Sequence, residues 1–173
     1  MVYRITLHHT VGRYNQLFSD YHYCITYDKA KDVASVVKGK YKPEDNDSTS
    51  DGKYAPHCKM ANTGNVGIGI CACLGYDSKT HTSPTYPITG KQIELAFRLM
   101  AELCIKYNIK IEEVQTHYER DQKLGPKKSG KVDILFIPSY PDVKPQEVGN
   151  FIRKKVQWYI NQIKSGKIKK GLI

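Results

Sequence analysis

The stretch Gly67-Ile-Gly-Ile-Cys-Ala-Cys-Leu74 is continuously apolar and opens with glycine. A short apolar run bounded by turn residues is typical of a strand that is buried on both faces of a sheet. This stretch therefore predicts a central strand, and the segments on either side of it decide how the sheet is completed.

Three further strands are predicted upstream of the central strand. The first opens the chain, where Ile5 and Leu7 alternate with polar residues, and it ends near His8. The second covers Tyr21–Tyr27 and the third Val33–Val37, joined by a short polar turn. Residues 38–64 then form a polar stretch, and a loop of that length in a compact domain is usually functional or mobile.

Two helices and one more strand are predicted downstream. A capping box at Thr89 starts the first helix, and Asn108 is a plausible stop. Residues 113–116 suit a strand that delivers His117 at its end, and the last helix spans roughly residues 143–164. Because strands and helices are interleaved, the predicted fold class is α/β, a single domain with a central mixed β-sheet flanked by helices.

Composition places the chain among ordinary folded proteins. It has 173 residues, of which 40% are hydrophobic and 25% charged, which excludes disordered, collagen-like and coiled-coil classes. Its five cysteines fit buried free thiols better than a disulfide framework at this length. No stretch approaches the ~20 apolar residues of a membrane helix, and the N-terminus lacks the apolar region of a signal peptide, so synthesis in the cytoplasm is expected.

Positive charge is concentrated in the last third of the chain. The net charge is +10; residues 1–119 hold 14 basic and 13 acidic side chains, whereas residues 120–173 hold 13 basic and 4 acidic. Such a distribution favours a polyanionic partner, namely nucleic acid, acidic lipid or anionic cell wall, although lysine-rich tails also serve solubility alone. We expect a catalytic core over residues 1–140, and a basic C-terminal helix and tail over residues 141–173 that packs on or extends from the same domain.

Two histidines stand where a rigid scaffold could present them. His8 and His117 each close a predicted strand, and in an extended Lys131-Val-Asp133 the ammonium and the carboxylate would face one side. Two imidazoles and one carboxylate form a catalytic zinc set with water in the fourth position. From spacing alone, however, an exposed ion pair between Lys131 and Asp133 is the preferred interpretation.

Three other histidines have less marked surroundings. His9 is interpreted as packed under the sheet, with a role beside a metal ligand as the alternative. His22 is interpreted as structural because it alternates with Tyr21 along a predicted strand. His81 lies in a polar loop and has no evident role.

Five segments in order resemble the zinc N-acetylmuramoyl-L-alanine amidases, a family that includes phage endolysins and peptidoglycan recognition proteins. The resemblance covers about residues 2–137 and is nearest to phage and prophage endolysins. Each motif alone is weak, whereas the ordered set is specific. The segments are Ile5-Thr-Leu-His-His-Thr10, Tyr21-His-Tyr23, Asn65-Val-Gly-Ile-Gly-Ile70, Thr116-His-Tyr-Glu119 and Lys131-Val-Asp133.

The resemblance implies roles for individual residues. Zinc would be held at strand ends by His8, His117 and Asp133, with Tyr21 and Lys131 as catalytic residues. Some relatives carry a catalytic glutamate just after the central-strand motif, where this chain has Cys71-Ala-Cys73, and this departure indicates the tyrosine and lysine variety.

Three more residues are candidates for binding substrate, namely His57, Asn65 and Glu119. His57 stands where the family has a histidine lining the substrate groove, with a solvated loop residue as the alternative. Glu119 could instead orient a metal ligand through a hydrogen bond, or simply be exposed.

The activity implied is hydrolysis of the amide between N-acetylmuramic acid and L-alanine in peptidoglycan, by a monomer that binds no nucleic acid. Resemblance to endolysins implies release to the wall through a separately encoded membrane hole, and the basic tail would steer the enzyme to an anionic wall or membrane surface. Two alternatives remain. One is a recognition module that binds peptidoglycan without cutting it, although such modules typically lack a zinc ligand. The other is a basic nucleic-acid-binding protein. The 13 tyrosines and the basic tail favour it, but the sequence contains no known nucleic-acid-binding motif.

Overall fold

A five-stranded mixed sheet organises the computed structural model, which describes residues 1–77, 79–80, 83 and 85–173. The strand order is β3-β2-β4-β1-β5, and only β3 runs antiparallel to its neighbour. This confirms the predicted α/β class with a mixed sheet. The strands are β1 (Arg4–His9), β2 (Tyr23–Asp28), β3 (Val33–Lys38), β4 (Asn65–Ile70) and β5 (Val114–Thr116).

The central strand β4 lies between β1 and β2 and is buried along its whole length. It begins two residues earlier than predicted and ends at Ile70, and Cys73 then adopts a left-handed φ of 70°. The apolar side chains of β4 join the hydrophobic core, whereas Gly67 and Gly69 face the opposite side of the sheet. On that second side His57, from the long polar segment before β4, packs on Gly67 and Tyr21 packs on Gly69, so the strand is enclosed on both faces.

Helix α1 (Gly90–Tyr107) covers the core side of the sheet. Its start follows the predicted capping box, in which the Thr89 hydroxyl accepts from the Gln92 backbone N–H. Its end is also as predicted, because Asn108 takes the left-handed conformation, with φ of 53°, that closes a helix C-terminus.

Helix α3 (Val148–Lys164) packs against α1 and is part of the same hydrophobic core. It begins five residues later than predicted, because residues 145–147 form a short 3-10 turn that starts with proline. The chain then returns over α1, where the backbone N–H groups of Gly171 and Leu172 donate to the buried Glu102 carboxylate. The buried stripe of α3 is Val148, Ile152, Val156, Ile160 and Ile163.

A third helix, α2 (His117–Gln122), follows β5 directly and was not predicted. Its sequence signal is a capping box: the Thr116 hydroxyl accepts from the Glu119 N–H, while the Glu119 carboxylate accepts from the Thr116 N–H. Thr-x-x-Glu at residues 116–119 could have revealed this helix, but the polar, basic residues after it favour a loop.

The parallel strands give the molecule two distinct ends. We call the end where β1, β4 and β5 finish the carboxyl pole, and the opposite end the amino pole. Because α1 runs back from the carboxyl pole, its last residue Tyr107 lies at the amino pole, and Ile173 lines the same cavity as Tyr107. The Met1 ammonium, 2.8 Å from the Asp47 carboxylate, precedes β1 at the amino pole.

All five cysteines are buried and free, as expected from the sequence. In the part of the chain that the structure describes, no helix combines the length and apolar character needed to cross a membrane.

Candidate metal centre

Three predicted ligands meet at the carboxyl pole. His8 precedes the last residue of β1, His117 is the first residue of α2, and Asp133 lies in the loop that follows α2. The His8 Nδ1 atom lies 2.9 Å from His117 Nδ1 and 3.3 Å from Asp133 Oδ2, and the last two atoms are 3.1 Å apart. His8 lies more than a hundred positions from His117 and Asp133 in the chain, yet the three residues present one ligand atom each to a common point.

The donor set of His8, His117 and Asp133 suits a metal ion. A tetrahedral ion with bonds of ~2.0–2.1 Å holds its ligand atoms about 3.3 Å apart, close to the three observed separations. Both imidazoles are buried, and the Asp133 side chain is 16% exposed, so one side of the cluster remains accessible. Two imidazoles, one carboxylate and one open side are the arrangement of a catalytic rather than a structural site.

The protonation of the three groups also favours a cation. Burial lowers the pKa of His8 to about 4, so its ring is neutral. Burial alone would lower the pKa of His117, but hydrogen bonds with Asp133 and Cys58 raise it to about 9. Burial raises the pKa of Asp133, yet the hydrogen bond from His117 and the contact with His8 hold it far below its usual range. A metal cation can replace the proton that His117 carries between two acceptors.

His57 stands behind His8, on the side away from Asp133. Its Nδ1 atom lies 3.1 Å from His8 Nε2, and its Nε2 donates to the backbone carbonyl of Asn65 at 3.0 Å. The ring rests on Gly67, where an added Cβ would come within 2.3 Å of the His57 Cγ. Burial holds the pKa of His57 well below its ordinary value, so this ring is neutral too.

Tyr21 borders the cluster on the β2 side. It lies just before β2 rather than within it, and its ring packs on Gly69, where an added Cβ would come within 2.7 Å. The Tyr21 and His8 ring centroids are 5.2 Å apart. Burial and the nearby Asp133 carboxylate raise the pKa of Tyr21 above its usual value, so the phenol stays protonated and can donate a hydrogen bond.

The segment that carries Lys131 and Asp133 is a loop, not the extended chain considered in the sequence analysis. Asp121 of α2 holds it: the carboxylate accepts hydrogen bonds from the backbone N–H groups of Ser129, Gly130 and Lys131 at 2.8–3.0 Å. The Lys131 side chain is exposed, and its ammonium contacts no acid within the described ranges, so the ion pair with Asp133 does not form. Asp121 was missed because an acid inside a basic, polar stretch looks like a solvated residue.

A family comparison identifies this arrangement. The model of the N-acetylmuramoyl-L-alanine amidase family matches residues 2–131 of the chain. The chain belongs to this family. The match includes His8 and His117 and stops two residues before Asp133, which the structure itself adds to the cluster.

Solved structures similar to this amidase-family chain have low sequence identity. PlyL is 17% identical, with 96% of this chain and 86% of that chain covered and a TM-score of 0.43. The catalytic domain of XlyA is 13% identical, with 90% and 86% covered and a TM-score of 0.46. The N-acetylmuramyl-L-alanine amidase AmiD from E. coli, in complex with the substrate anhydro-N-acetylmuramic acid-L-Ala-D-gamma-Glu-L-Lys, is 15% identical, with 70% and 51% covered and a TM-score of 0.48. No curated protein matches the chain.

Two of the three residues predicted to bind substrate in this family member are buried. Asn65 has no exposed surface; its side chain accepts from the Thr6 hydroxyl and donates to the Ala61 carbonyl. His57 is 7% exposed and faces His8 instead of an open groove. His57 contacts the cluster directly, and Asn65 contributes the backbone carbonyl that accepts from His57. The sequence could not show these contacts, because imidazole and amide side chains are also common in substrate grooves.

The third, Glu119, joins two helices. Besides capping α2, its carboxylate accepts hydrogen bonds from two guanidinium nitrogens of Arg153 in α3, at 2.9 and 3.1 Å. Its oxygens are thus engaged within the fold. This pair also removes Arg153 from the free charges of the basic tail.

Two other histidines have structural surroundings: His22 forms hydrogen bonds within the fold, and His9 is packed in the interior. His22 accepts from the Gly67 N–H through Nδ1 and contacts Asn46 through Nε2, which ties the polar segment to β4. His9 is buried and packs on Tyr76, and in the described part of the chain neither of its ring nitrogens has a hydrogen-bond partner. His81 lies outside the described residues.

Proposed function

We propose that this protein is a zinc-dependent N-acetylmuramoyl-L-alanine amidase, which hydrolyses the amide between N-acetylmuramic acid and L-alanine in peptidoglycan. The observation that carries the proposal is the convergence of His8, His117 and Asp133 at the carboxyl pole of a chain from this family. Zinc is proposed because mixed imidazole and carboxylate ligands with an open side are its usual catalytic set.

A zinc ion held there would polarise the scissile carbonyl and bring a bound water towards a pKa of ~7. Tyr21, protonated and packed beside His8, donates a hydrogen bond to the oxyanion that develops on the substrate carbonyl or passes its proton to the leaving amine. We assign the second catalytic role to Lys131, which precedes Asp133 by two residues in the loop that Asp121 anchors. Its free ammonium is available to the substrate because no acid in the described residues engages it.

A peptidoglycan recognition module without catalysis is the alternative within the family. Such a module needs no complete ligand set, whereas all three ligand atoms here lie within 4.8 Å of one another. The enzyme is therefore the better explanation of the cluster.

In this proposal the protein acts as a monomeric endolysin of a phage or prophage. It reaches the wall through a separately encoded membrane hole and contributes to host lysis. The exposed lysines at the C-terminal end attract it to the anionic wall or membrane surface, and nucleic acid is not its partner.

The deciding experiment treats purified sacculi with the protein, measures clearing of turbidity and analyses the soluble products by mass spectrometry. We expect about one zinc per chain and products with a new L-alanine amino terminus, which a glycosidase would not release. Asp133→Ala is the matched control and should lose both zinc and clearing. Zinc-loaded protein that binds sacculi without releasing amino termini would favour the recognition module, and nucleic-acid binding without zinc would favour the other class.

A further inference from the structure

The two ring nitrogens of His8 face different surroundings. Nδ1 faces His117 and Asp133, while Nε2 faces the buried ring of His57 at 3.1 Å. A neutral imidazole carries one hydrogen, on one nitrogen or the other. Whether His8 can offer a lone pair to a metal through Nδ1 therefore depends on where that hydrogen resides.

The hydrogen bonds behind His8 run in one direction only. A backbone carbonyl accepts and cannot donate, so the contact with the Asn65 carbonyl places the hydrogen of His57 on Nε2. With that hydrogen on Nε2, the His57 ring presents a lone pair at Nδ1, and the 3.1 Å contact with His8 Nε2 then places the His8 hydrogen on Nε2. The Nδ1 of His8 is left bare, facing the cluster.

The position of His57 is itself fixed from several sides. Gly67 leaves the space that the ring occupies, since an added Cβ would lie 2.3 Å from the His57 Cγ. The segment on either side is held at the backbone: the Ala55 N–H donates to Asn46 Oδ1 and the Cys58 N–H to Asn62 Oδ1, both at 2.8 Å. The acceptor offered to His8 is therefore oriented before any ligand binds.

We infer that His57 is a positioning residue of the metal site, which holds His8 in the tautomer and orientation that present Nδ1 to the ion. This inference rests on the zinc site of the proposed function and assigns His57 to zinc binding, not to substrate contact. Partners behind metal-binding histidines typically change metal affinity about 10–100-fold when they are removed.

The test compares three variants for zinc affinity, measured by competition with a chromophoric chelator, and for the visible absorption spectrum of the cobalt-substituted protein. His57→Phe keeps a ring of similar shape without an acceptor. His57→Asn places an amide oxygen near the position of Nδ1 and so restores the acceptor. His9→Phe is the matched control, because it alters a neighbouring buried histidine that has no hydrogen-bond partner among the described residues.

We expect His57→Phe to bind zinc about 10–100-fold more weakly, with an altered cobalt spectrum, and His57→Asn to recover most of the loss. His9→Phe should match the wild type in both measurements. Wild-type affinity and spectrum in a folded His57→Phe protein would overturn the inference. Hydrolysis of peptidoglycan is not part of either readout, so the proposed function can fail while this test succeeds, or the reverse.

A measurement on the unaltered chain decides the matter if the variants do not fold. Long-range ¹H–¹⁵N correlation spectra distinguish the protonated nitrogen of each imidazole ring. We expect both His8 and His57 to carry their hydrogen on Nε2. A hydrogen on Nδ1 of either ring would overturn the inference.

Discussion

Single side chains decide whether the ligands at the carboxyl pole are held in place. His117 and Asp133 form a charged pair, and His8 is neutral beside them. Each ligand is fixed by a different partner: His8 by His57, His117 by its place at the start of α2, and the Asp133 loop by Asp121. The catalytic roles and the supporting roles are thus separable by mutation.

Lys131 tests the catalytic role. Because its ammonium makes no contact with the ligand atoms in the described structure, Lys131→Ala should retain zinc while turnover falls by on the order of 10²–10³, as when one donor to an oxyanion is removed. Zinc content and the initial rate of amino-terminus release are the measurements. Lys128→Ala, in the same loop, should leave the rate unchanged, and near-normal turnover of Lys131→Ala would remove Lys131 from the mechanism.

Asp121 tests the supporting role through pH. Burial raises the pKa of its carboxyl. Hydrogen bonds from the backbone N–H groups of Ser129, Lys131 and Gly130 lower it by more than burial raises it, so the pKa lies below its ordinary value. The folded state therefore favours the ionised form. This stabilises the protein above the ordinary pKa of ~3.9, and the contribution is lost as pH falls through the lower folded value.

We expect Asp121→Asn to be less stable than the wild type by about 1–3 kcal/mol at pH 7 and the difference to shrink below about pH 4. Urea unfolding at both pH values, in the presence of a chelator, measures it without a contribution from metal. A difference that stayed constant with pH would show that the charge of Asp121 is not what holds the loop.

The three ligand residues were predicted from the sequence through its resemblance to the family, because spacing alone favoured an ion pair between Lys131 and Asp133. The partners behind them were not. The role of His57 depends on the contact of its ring with His8, and the role of Asp121 depends on hydrogen bonds from the loop that follows α2. Such contacts are set by packing between distant segments, which periodicity and spacing do not encode.

At the scale of elements, β4 makes room for the site. In β4, large apolar residues alternate with glycine, so the two faces of the strand differ. The apolar side chains fill the core on one face, and on the other face the glycines leave space for the rings of His57 and Tyr21. The apolar run revealed the strand, and the capping box revealed the start of α1. Short α2 was overlooked because a single helical turn and a half has no periodicity to detect.

The two glycines of β4 should separate metal binding from turnover. Gly67→Ala would push the His57 ring by placing a Cβ within 2.3 Å of it, and we expect weaker zinc binding and a loss of stability of about 1–3 kcal/mol. Gly69→Ala would displace Tyr21 instead, so turnover should fall more than zinc affinity.

Thermal unfolding, chelator competition and rate measurements on both β4 variants give the comparison. Gly90→Ala at the start of α1 is the matched control, since a Cβ there meets Ser139 at an ordinary 3.6 Å. Equal effects of Gly67→Ala and Gly69→Ala on zinc affinity would contradict the assignment of one ring to each glycine.

At the scale of the whole molecule, the basic tail is both core and surface. Helix α3 contributes buried residues to the main core, so truncation after residue 143 would expose the face of α1 and could not isolate the effect of charge. Arg153 and Lys155 are paired with Glu119 and Glu94. From the start of α3 to the end of the chain, the charge available for attraction is therefore confined to five exposed lysines: Lys154, Lys164, Lys167, Lys169 and Lys170.

Replacing those five lysines by glutamine should weaken binding to sacculi at low ionic strength and leave zinc content unchanged. Salt should remove most of the difference from the wild type, because exposed charges are screened over ~8–10 Å near physiological ionic strength. The control replaces five exposed lysines elsewhere: Lys29, Lys40, Lys53, Lys59 and Lys110. A pull-down with sacculi across a salt series measures both, and equal losses would mean that total charge matters and the tail does not.

The amino pole has a practical meaning for attaching this protein to something else. Met1 and Ile173 both lie there, at the end of the sheet opposite the metal cluster. A tether, a surface or a fused binding module joined to either terminus would leave the ligand face pointing outward. Immobilised protein should therefore meet an insoluble, mesh-like polymer in the orientation that catalysis requires.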